Sequence, residues 1–220
     1  MHPREADRQS WTDEALMSAY RDGDQRAFDV LVLRHSRGIY NFMLRSVRSP
    51  ARAEELLQEV LVRVIRSKTR YQRSAKFTTW VYTIARNLCV DESRRARFRD
   101  HDSLDAPTRS GGRRKRGSRL SGMPADQIPT DLAAEMPRLR RRLAKAVDHL
   151  PDEQREVFLL RQLGGLSFRE IGVAVDAPEN TVKSRMRYAL EKLRQELADL
   201  RPKGEDGDVT SDREEGVAHG

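Results

Sequence analysis

Apolar residues recur along this chain at three- and four-residue spacings, which predicts helices and gives no strand signal. Thr12 followed by Asp13 and Glu14 is an N-cap with an acidic first turn, opening a short helix that stops near Asp22-Gly23. Asp24 caps a second helix in which Phe28, Leu31, Val32, His35, Ile39, Phe42, Met43 and Val47 follow the helical period. Ser49-Pro50 supplies a cap and a first-turn proline for a third. After a polar loop from Tyr71 to Lys76 comes a fourth, where Phe77, Trp80, Val81, Ile84, Ala85 and Leu88 mark one side for a core. These four make an all-α domain over residues 10–97.

The periodicity then fails. Residues 98–131 are rich in Gly, Pro, Ser and Arg, carry the run Arg113-Arg114-Lys115-Arg116, and read as a flexible basic linker. A second helical unit is expected over 132–200. Leu139, Leu143, Val147 and Leu150 mark its first helix, with Pro137 at or near the start, and Pro151-Asp152-Glu153 opens the next, which ends at Gly164-Gly165. Ser167-Phe168-Arg169-Glu170 is a capping box, Asp176-Ala177-Pro178 breaks the helix that follows, and Val182, Met186, Ala189, Leu190, Leu193 and Leu197 share one face of the last. Residues 201–220 form an acidic tail expected to be disordered. The fold class is all-α: two small helical domains on a flexible linker, the second a helix-turn-helix.

Charge narrows the function. Lys and Arg number 42 against 34 Asp and Glu, a net charge of +8 that favours a polyanionic partner. The lone Cys89 excludes an intrachain disulfide, and its place on the apolar side of a helix marks it as a buried small hydrophobe. No Cys/His spacing suggests zinc, and neither a metal nor a cofactor is expected. The N-terminus MHPREADRQSW lacks an apolar signal core and no run is long enough to span a bilayer, so the protein is expected in the cytoplasm, without membrane insertion.

Two surfaces carry candidate chemistry. On the fourth helix Thr79, Thr83, Arg86, Asn87 and Arg94 share the side opposite the apolar stripe, with Trp80 at the margin. Arginines neutralise phosphates, an Asn amide reads a base edge and an indole stacks on an unpaired base. A core helix with a solvated basic face would look much the same, so this stripe alone decides nothing. In the second unit a capped short helix, a tight turn and a longer basic helix follow the helix-turn-helix pattern. There Gly172 leaves room for a close crossing, and Asn180, Lys183, Ser184 and Arg187, flanked by Thr181 and Arg185, face away from Val182 and Met186.

The order DQRAFDVLVLRHSRGIYNFMLR, RAEELLQEVLVRVIRS, FTTWVYTIARNLCVDESRR and LPDEQREVFLLRQLGGLSFREIGVAVDAPENTVKSRMRYALEKLR resembles bacterial sigma factors of the extracytoplasmic function group, of the sigma-70 family. The resemblance implies a dissociable subunit that gives core RNA polymerase its promoter choice. Its first domain (region 2) would bind the β′ clamp helices and melt the −10 element. Its second (region 4) would meet the β flap and read the −35 element as duplex, and an anti-sigma factor would be a partner. On the third helix the expected inward residues are Ala53, Leu57, Val60, Leu61 and Val64. Glu55, Gln58, Glu59, Val62 and Arg66 point outward and become the implied polymerase-docking face. The Tyr71–Lys76 loop, with Tyr71, Ser74 and Lys76, would cap a pocket for a base flipped from the −10 strand near Arg86 and Asn87. The chain departs from the family at Asp176, where Gly is usual, and at Pro178, where Ser or Thr is usual; Asp tolerates positive φ and Pro suits a helix start.

Two other classes remain at this point. A helix-turn-helix regulator with an N-terminal sensor or dimerisation domain would explain 132–200 but not Trp80, Arg86 and Asn87. An enzyme acting on nucleic acid lacks support: no clustered carboxylates, P-loop or nucleophile-base pair stand out, so no catalytic residue is assigned.

Overall fold

A computed structural model of the chain describes residues 8–71, 76–102 and 130–198. Its helices are α1 (Asp13–Arg21), α2 (Gln25–Val47), α3 (Pro50–Ser67), α4 (Phe77–Asp102), α5 (Thr130–His149), α6 (Asp152–Gly164), α7 (Phe168–Val175) and α8 (Glu179–Glu196), with a 3₁₀ turn at Lys68–Arg70. No strand occurs among the described residues. The all-α reading holds. Most of the expected linker and the whole acidic tail lie outside the described residues; α4 runs on to Asp102 and α5 begins at Thr130.

Local chemistry sets the helix starts. The side chains of Thr12, Asp24 and Ser49 accept from the backbone N–H groups of Ala15, Arg26 and Arg52 at 3.2, 3.1 and 3.4 Å, each cap worth about 1 kcal/mol over alanine. The capping box of α7 is complete: the Ser167 hydroxyl accepts from Glu170 N, and the Glu170 carboxylate accepts from Ser167 N at 2.7 Å. Helix ends are set by left-handed residues, Gly165 at φ 64° after α6 and Asp176 at φ 53° after α7.

In the first half α2 packs on α1, α3 and α4. The core joins Leu16 and Met17 to Leu31, Ile39, Phe42 and Met43, then to Val60, Val64, Val81, Ala85 and Leu88. The α3 stripe is Ala53, Leu56, Val60 and Val64, so Leu57 and Leu61 are half-buried flanks rather than core. Both Leu56 and Leu57 satisfy helical spacing from Ala53, and the neighbouring helices select the former. Cys89 is buried as expected, and burial pushes its thiol up to about 12. His35 sits at the rim, its Nε2 2.7 Å from Asp13 Oδ2 and its ring 5.3 Å from that of Phe77.

In the second half the end of α5 (Ala146, Val147, Leu150) closes over α6, α7 and α8 through Val157, Leu160, Ile171, Val182 and Ala189. Three sequence expectations need correction here. Pro137 lies inside α5, not at its start, because the helix continues past the one N–H bond that proline forgoes. Leu139 and Leu143 are each 41% exposed, since among the described side chains of α5 the core takes only those of the last turns, and Leu190 is 48% exposed, off the buried stripe.

The halves touch. Helix α2 lies against α6, and α4 against α6 and α7.

Candidate nucleic-acid interface

Helix α8 is fixed by the turn before it. A Cβ on Gly172 would stand 2.7 Å from the Ala177 carbonyl oxygen, so only glycine lets the turn fold this closely over α7. Val182, Met186, Ala189 and Leu193 are buried and set the rotation of α8. That rotation leaves Asn180, Thr181, Lys183, Ser184 and Arg187 exposed on the other side, as expected from their spacing. Lys183 Nζ lies 2.7 Å from Glu179 Oε1, but both side chains are about half exposed, so the pair contributes little and the ammonium is easily given to another anion. The Arg187 guanidinium sits 5.1 Å from the centre of the Tyr188 ring. Arg185 is different: half-buried, it is held 2.7 Å from Glu153 and braces α8 against α6. No side chain caps the α8 N-terminus, so its first N–H groups are left without a side-chain partner beside the exposed Asn180 and Thr181.

On α4 the expected strand-facing residues separate into two arcs. Asn87 and Arg94 are exposed. Thr79 is buried, Thr83 half-buried with its hydroxyl donating to Thr79 O at 2.7 Å, and Arg86 Nε is held 2.9 Å from Glu156 of the second half. Lys76 at the head of the helix lies 3.1 Å from Glu170, also of the second half. Trp80 is half-buried, its ring 5.2 Å from Tyr71 and 6.0 Å from Phe77. Tyr71 is only 4% exposed, so it packs against the indole at a tilt of 53° and offers no free stacking face. Ser74 falls outside the described residues.

Sequence spacing missed Tyr82. It stands off the apolar stripe yet is 1% exposed, edge-on to Phe42, with its hydroxyl donating to the Leu163 carbonyl at 2.8 Å. Burial pushes its phenol well above the ordinary value. The available signal was Gly38, a glycine inside a periodic helix, which makes room for this ring.

The outward side of α3 carries Val62 at 41% exposure and Ile65 at 43%, the second also missed from sequence. Gln58 and Arg66 are exposed beside them, Glu55 pairs with Arg52, and Glu59 pairs with Arg63 at 2.7 Å. Among the described residues no His, Cys, Asp or Glu group is arranged to hold a metal ion, and no helix is long and apolar enough to cross a membrane.

A helix-turn-helix unit joined to a helical bundle with a basic, aromatic-headed helix is the architecture of a DNA-binding transcription protein. The comparisons agree. Residues 31–99 match the Sigma-70 region 2 family and residues 140–193 the Sigma-70 region 4 family. The chain is 35% identical over 184 residues to RNA polymerase sigma factor CarQ of Myxococcus xanthus, covering 84% of this chain and 97% of the relative. It is 30% identical over 187 residues to the ECF RNA polymerase sigma-E factor of Escherichia coli K12, covering 83% and 92%. Among solved structures it superposes on the sigma factor RpoE of Bartonella quintana in complex with the anti-sigma factor NepR. The TM-score is 0.60 at 22% identity, over 79% of this chain and 98% of that one. It also superposes on CnrH in complex with the cytosolic domain of CnrY, at TM-score 0.58 and 20% identity, over 85% and 97%. The chain belongs to the extracytoplasmic function sigma factors of the sigma-70 family, proteins that act with RNA polymerase in promoter-specific transcription initiation.

Proposed function

We propose that α8 reads the −35 element as duplex DNA, and that α4 with the Tyr71–Lys76 loop engages the −10 element and melts it. The outward side of α3 docks on the β′ clamp helices of core polymerase, and the second half meets the β flap. The observation that carries the reading is the α8 surface. Its exposed polar residues cluster with an uncapped helix N-terminus, on a helix whose rotation is fixed by four buried side chains. That arrangement suits phosphate contact at the helix end and base-edge contact along the exposed side. Melting requires no nucleotide hydrolysis, because binding single strand better than duplex shifts the equilibrium by itself. An anti-sigma factor is a further proposed partner, since the Bartonella quintana sigma factor RpoE, which shares this fold, is bound to the anti-sigma factor NepR.

The test is run-off transcription with purified core polymerase across a promoter library. Lys183→Ala and Arg187→Ala are expected to weaken −35-dependent initiation, each lost base contact costing about 1–3 kcal/mol. Co-purification with core should be retained. Specific initiation that persists when the protein is omitted would refute the reading, and a core-binding loss as large as the DNA defect would reassign the domains.

A further inference from the structure

The strand-facing side of α4 is partly occupied by the chain's own second half. Arg86 and Lys76, two cations suited to phosphates, are met instead by the carboxylates of Glu156 and Glu170, at 2.9 and 3.1 Å. Between them Thr79 is buried, and its hydroxyl oxygen has no hydrogen-bond partner among the described residues, an arrangement that costs stability unless something else is gained. Beside them Tyr82 closes the contact. Its hydroxyl satisfies the Leu163 carbonyl, one of the orphan acceptors in the last turn of α6.

Two glycines make this approach sterically feasible. A Cβ on Gly38 would lie 2.6 Å from Tyr82 Oη and 3.4 Å from Leu163 O. A Cβ on Gly164 would meet Leu166 at 2.6 Å and the Tyr82 ring at 3.3 Å. Further along the seam Arg45 holds Asp148 at 3.0 Å, and Arg48 donates to the Asp148 carbonyl at 2.8 Å. By contrast Asn180, Lys183, Ser184 and Arg187 on α8 remain exposed.

We propose that the second half is an intramolecular latch, in which Glu156 and Glu170 take the place of DNA phosphates on α4 and Tyr82 locks the seam. The closed chain keeps its duplex-reading surface open and covers the Arg86 part of its strand-binding surface, while Asn87 and Arg94 stay exposed. Single-stranded DNA and the second half then compete for Arg86 and Lys76, so opening precedes melting. The inference rests on reading α4 as the strand-binding helix.

The test uses the full chain carrying Leu33→Cys and Val173→Cys, one exposed position in each half, with nitroxide labels; the buried Cys89 is spared. Inter-label distances are measured by pulsed electron resonance, and affinity for a fluorescent degenerate single-stranded DNA pool by anisotropy. The unaltered seam should give one short distance, lengthened by Tyr82→Phe with Glu156→Gln and by added strand. The same pair of substitutions should tighten strand binding about tenfold, as expected when a mostly closed population is released. Unchanged circular dichroism distinguishes opening from unfolding, and Glu156→Gln alone, at a partly exposed ion pair, supplies a milder second variant. A broad, long distance in the unaltered chain overturns the latch. So does opening without tighter strand binding. In that last case Asn87→Ala with Arg94→Ala separates the causes: if it weakens strand binding, the latch alone fails, and if it changes nothing, the assignment of α4 fails with it.

Discussion

Gly38→Ala offers a demanding check on the packing argument, because helix propensity and packing predict opposite signs. Alanine improves an interior helical position by about 1 kcal/mol over glycine. Here the new Cβ would stand 2.6 Å from Tyr82 Oη, a separation that real contacts do not tolerate. The hydroxyl cannot simply swing away: it is hydrogen-bonded to Leu163 O at 2.8 Å, and its ring is wedged edge-on against Phe42 at 5.7 Å. Overpacking of such a site costs about 1–3 kcal/mol, so the net expectation is neutral to about 2 kcal/mol destabilising.

Tyr82→Phe alone should cost about 1–3 kcal/mol if the Leu163 carbonyl is left buried and unpaired. Once the hydroxyl is gone, however, the nearest atom to the Gly38→Ala methyl is Leu163 O at 3.4 Å, a tolerable contact. The double variant should therefore be more stable than the sum of the two single effects predicts, with a coupling of about 1–2 kcal/mol. Urea denaturation of the four proteins, followed by tryptophan fluorescence and circular dichroism together to check two-state behaviour, measures it. Additivity within about 0.3 kcal/mol, or Gly38→Ala stabilising by the full helix-propensity gain, would refute the close-packing account.

Val62→Glu places a charge on an exposed α3 position and should impair co-purification with core polymerase while leaving the helical circular dichroism unchanged; loss of the helix would reject the docking face. Asn87→Ala should keep α4 intact, because the side chain is exposed, and relax base preference at one −10 position. Run-off transcription over all four bases at each position reads this out. Burial raises the Glu170 pKa, but hydrogen bonds from Ser167 and the Lys76 ammonium outweigh it and bring the group to about 2. A depressed carboxylate stabilises the fold above its ordinary value of 4.5 and loses that contribution as pH falls toward about 2. Thermal melts of wild type and Glu170→Gln should therefore keep a constant difference from neutral pH down to about 5 and converge below it; a difference that changes near neutrality would contradict the sign.

Capping chemistry was the most legible part of the sequence, because it is local. Thr12, Asp24, Ser49 and the Ser167–Glu170 box each act within a turn of their own position, so no tertiary knowledge is needed to place them. Asp176 belongs to the same class: its left-handed conformation follows from the helix it ends and the proline just beyond. The exposed side of α8 was readable for a related reason, since one buried stripe on a short two-helix unit leaves its opposite face defined. Legibility fell where two apolar neighbours competed for one place. Leu56 and Leu57 both fit the period, and only the shape of the surface opposite decides between them. At Leu190, the four- and three-residue spacings to Met186 and Leu193 suggested burial, but the residue stands at the edge of the buried stripe and is 48% exposed.

The strand-facing side of α4 fared worst, and the reason is instructive. An amphipathic pattern identifies what is buried within one domain; it assumes that the other side meets solvent or a ligand. On α4 that side meets a third thing, the other half of the same chain, so Thr79 and Tyr82 are buried although neither belongs to the apolar stripe. Tyrosine suits such a place, with a large apolar body and a hydroxyl able to end a neighbouring helix's unpaired carbonyl. The glycines tell the same story from the other side. Gly38 costs α2 about 1 kcal/mol of helix propensity that alanine would recover, a cost with no local purpose in a helix otherwise rich in good formers. Its purpose is steric and lies across the seam, where Tyr82 Oη fills the space a methyl would need. A glycine inside a strongly periodic helix is thus the mark of a close partner, and here it points to the contact that the hydrophobic pattern could not reveal.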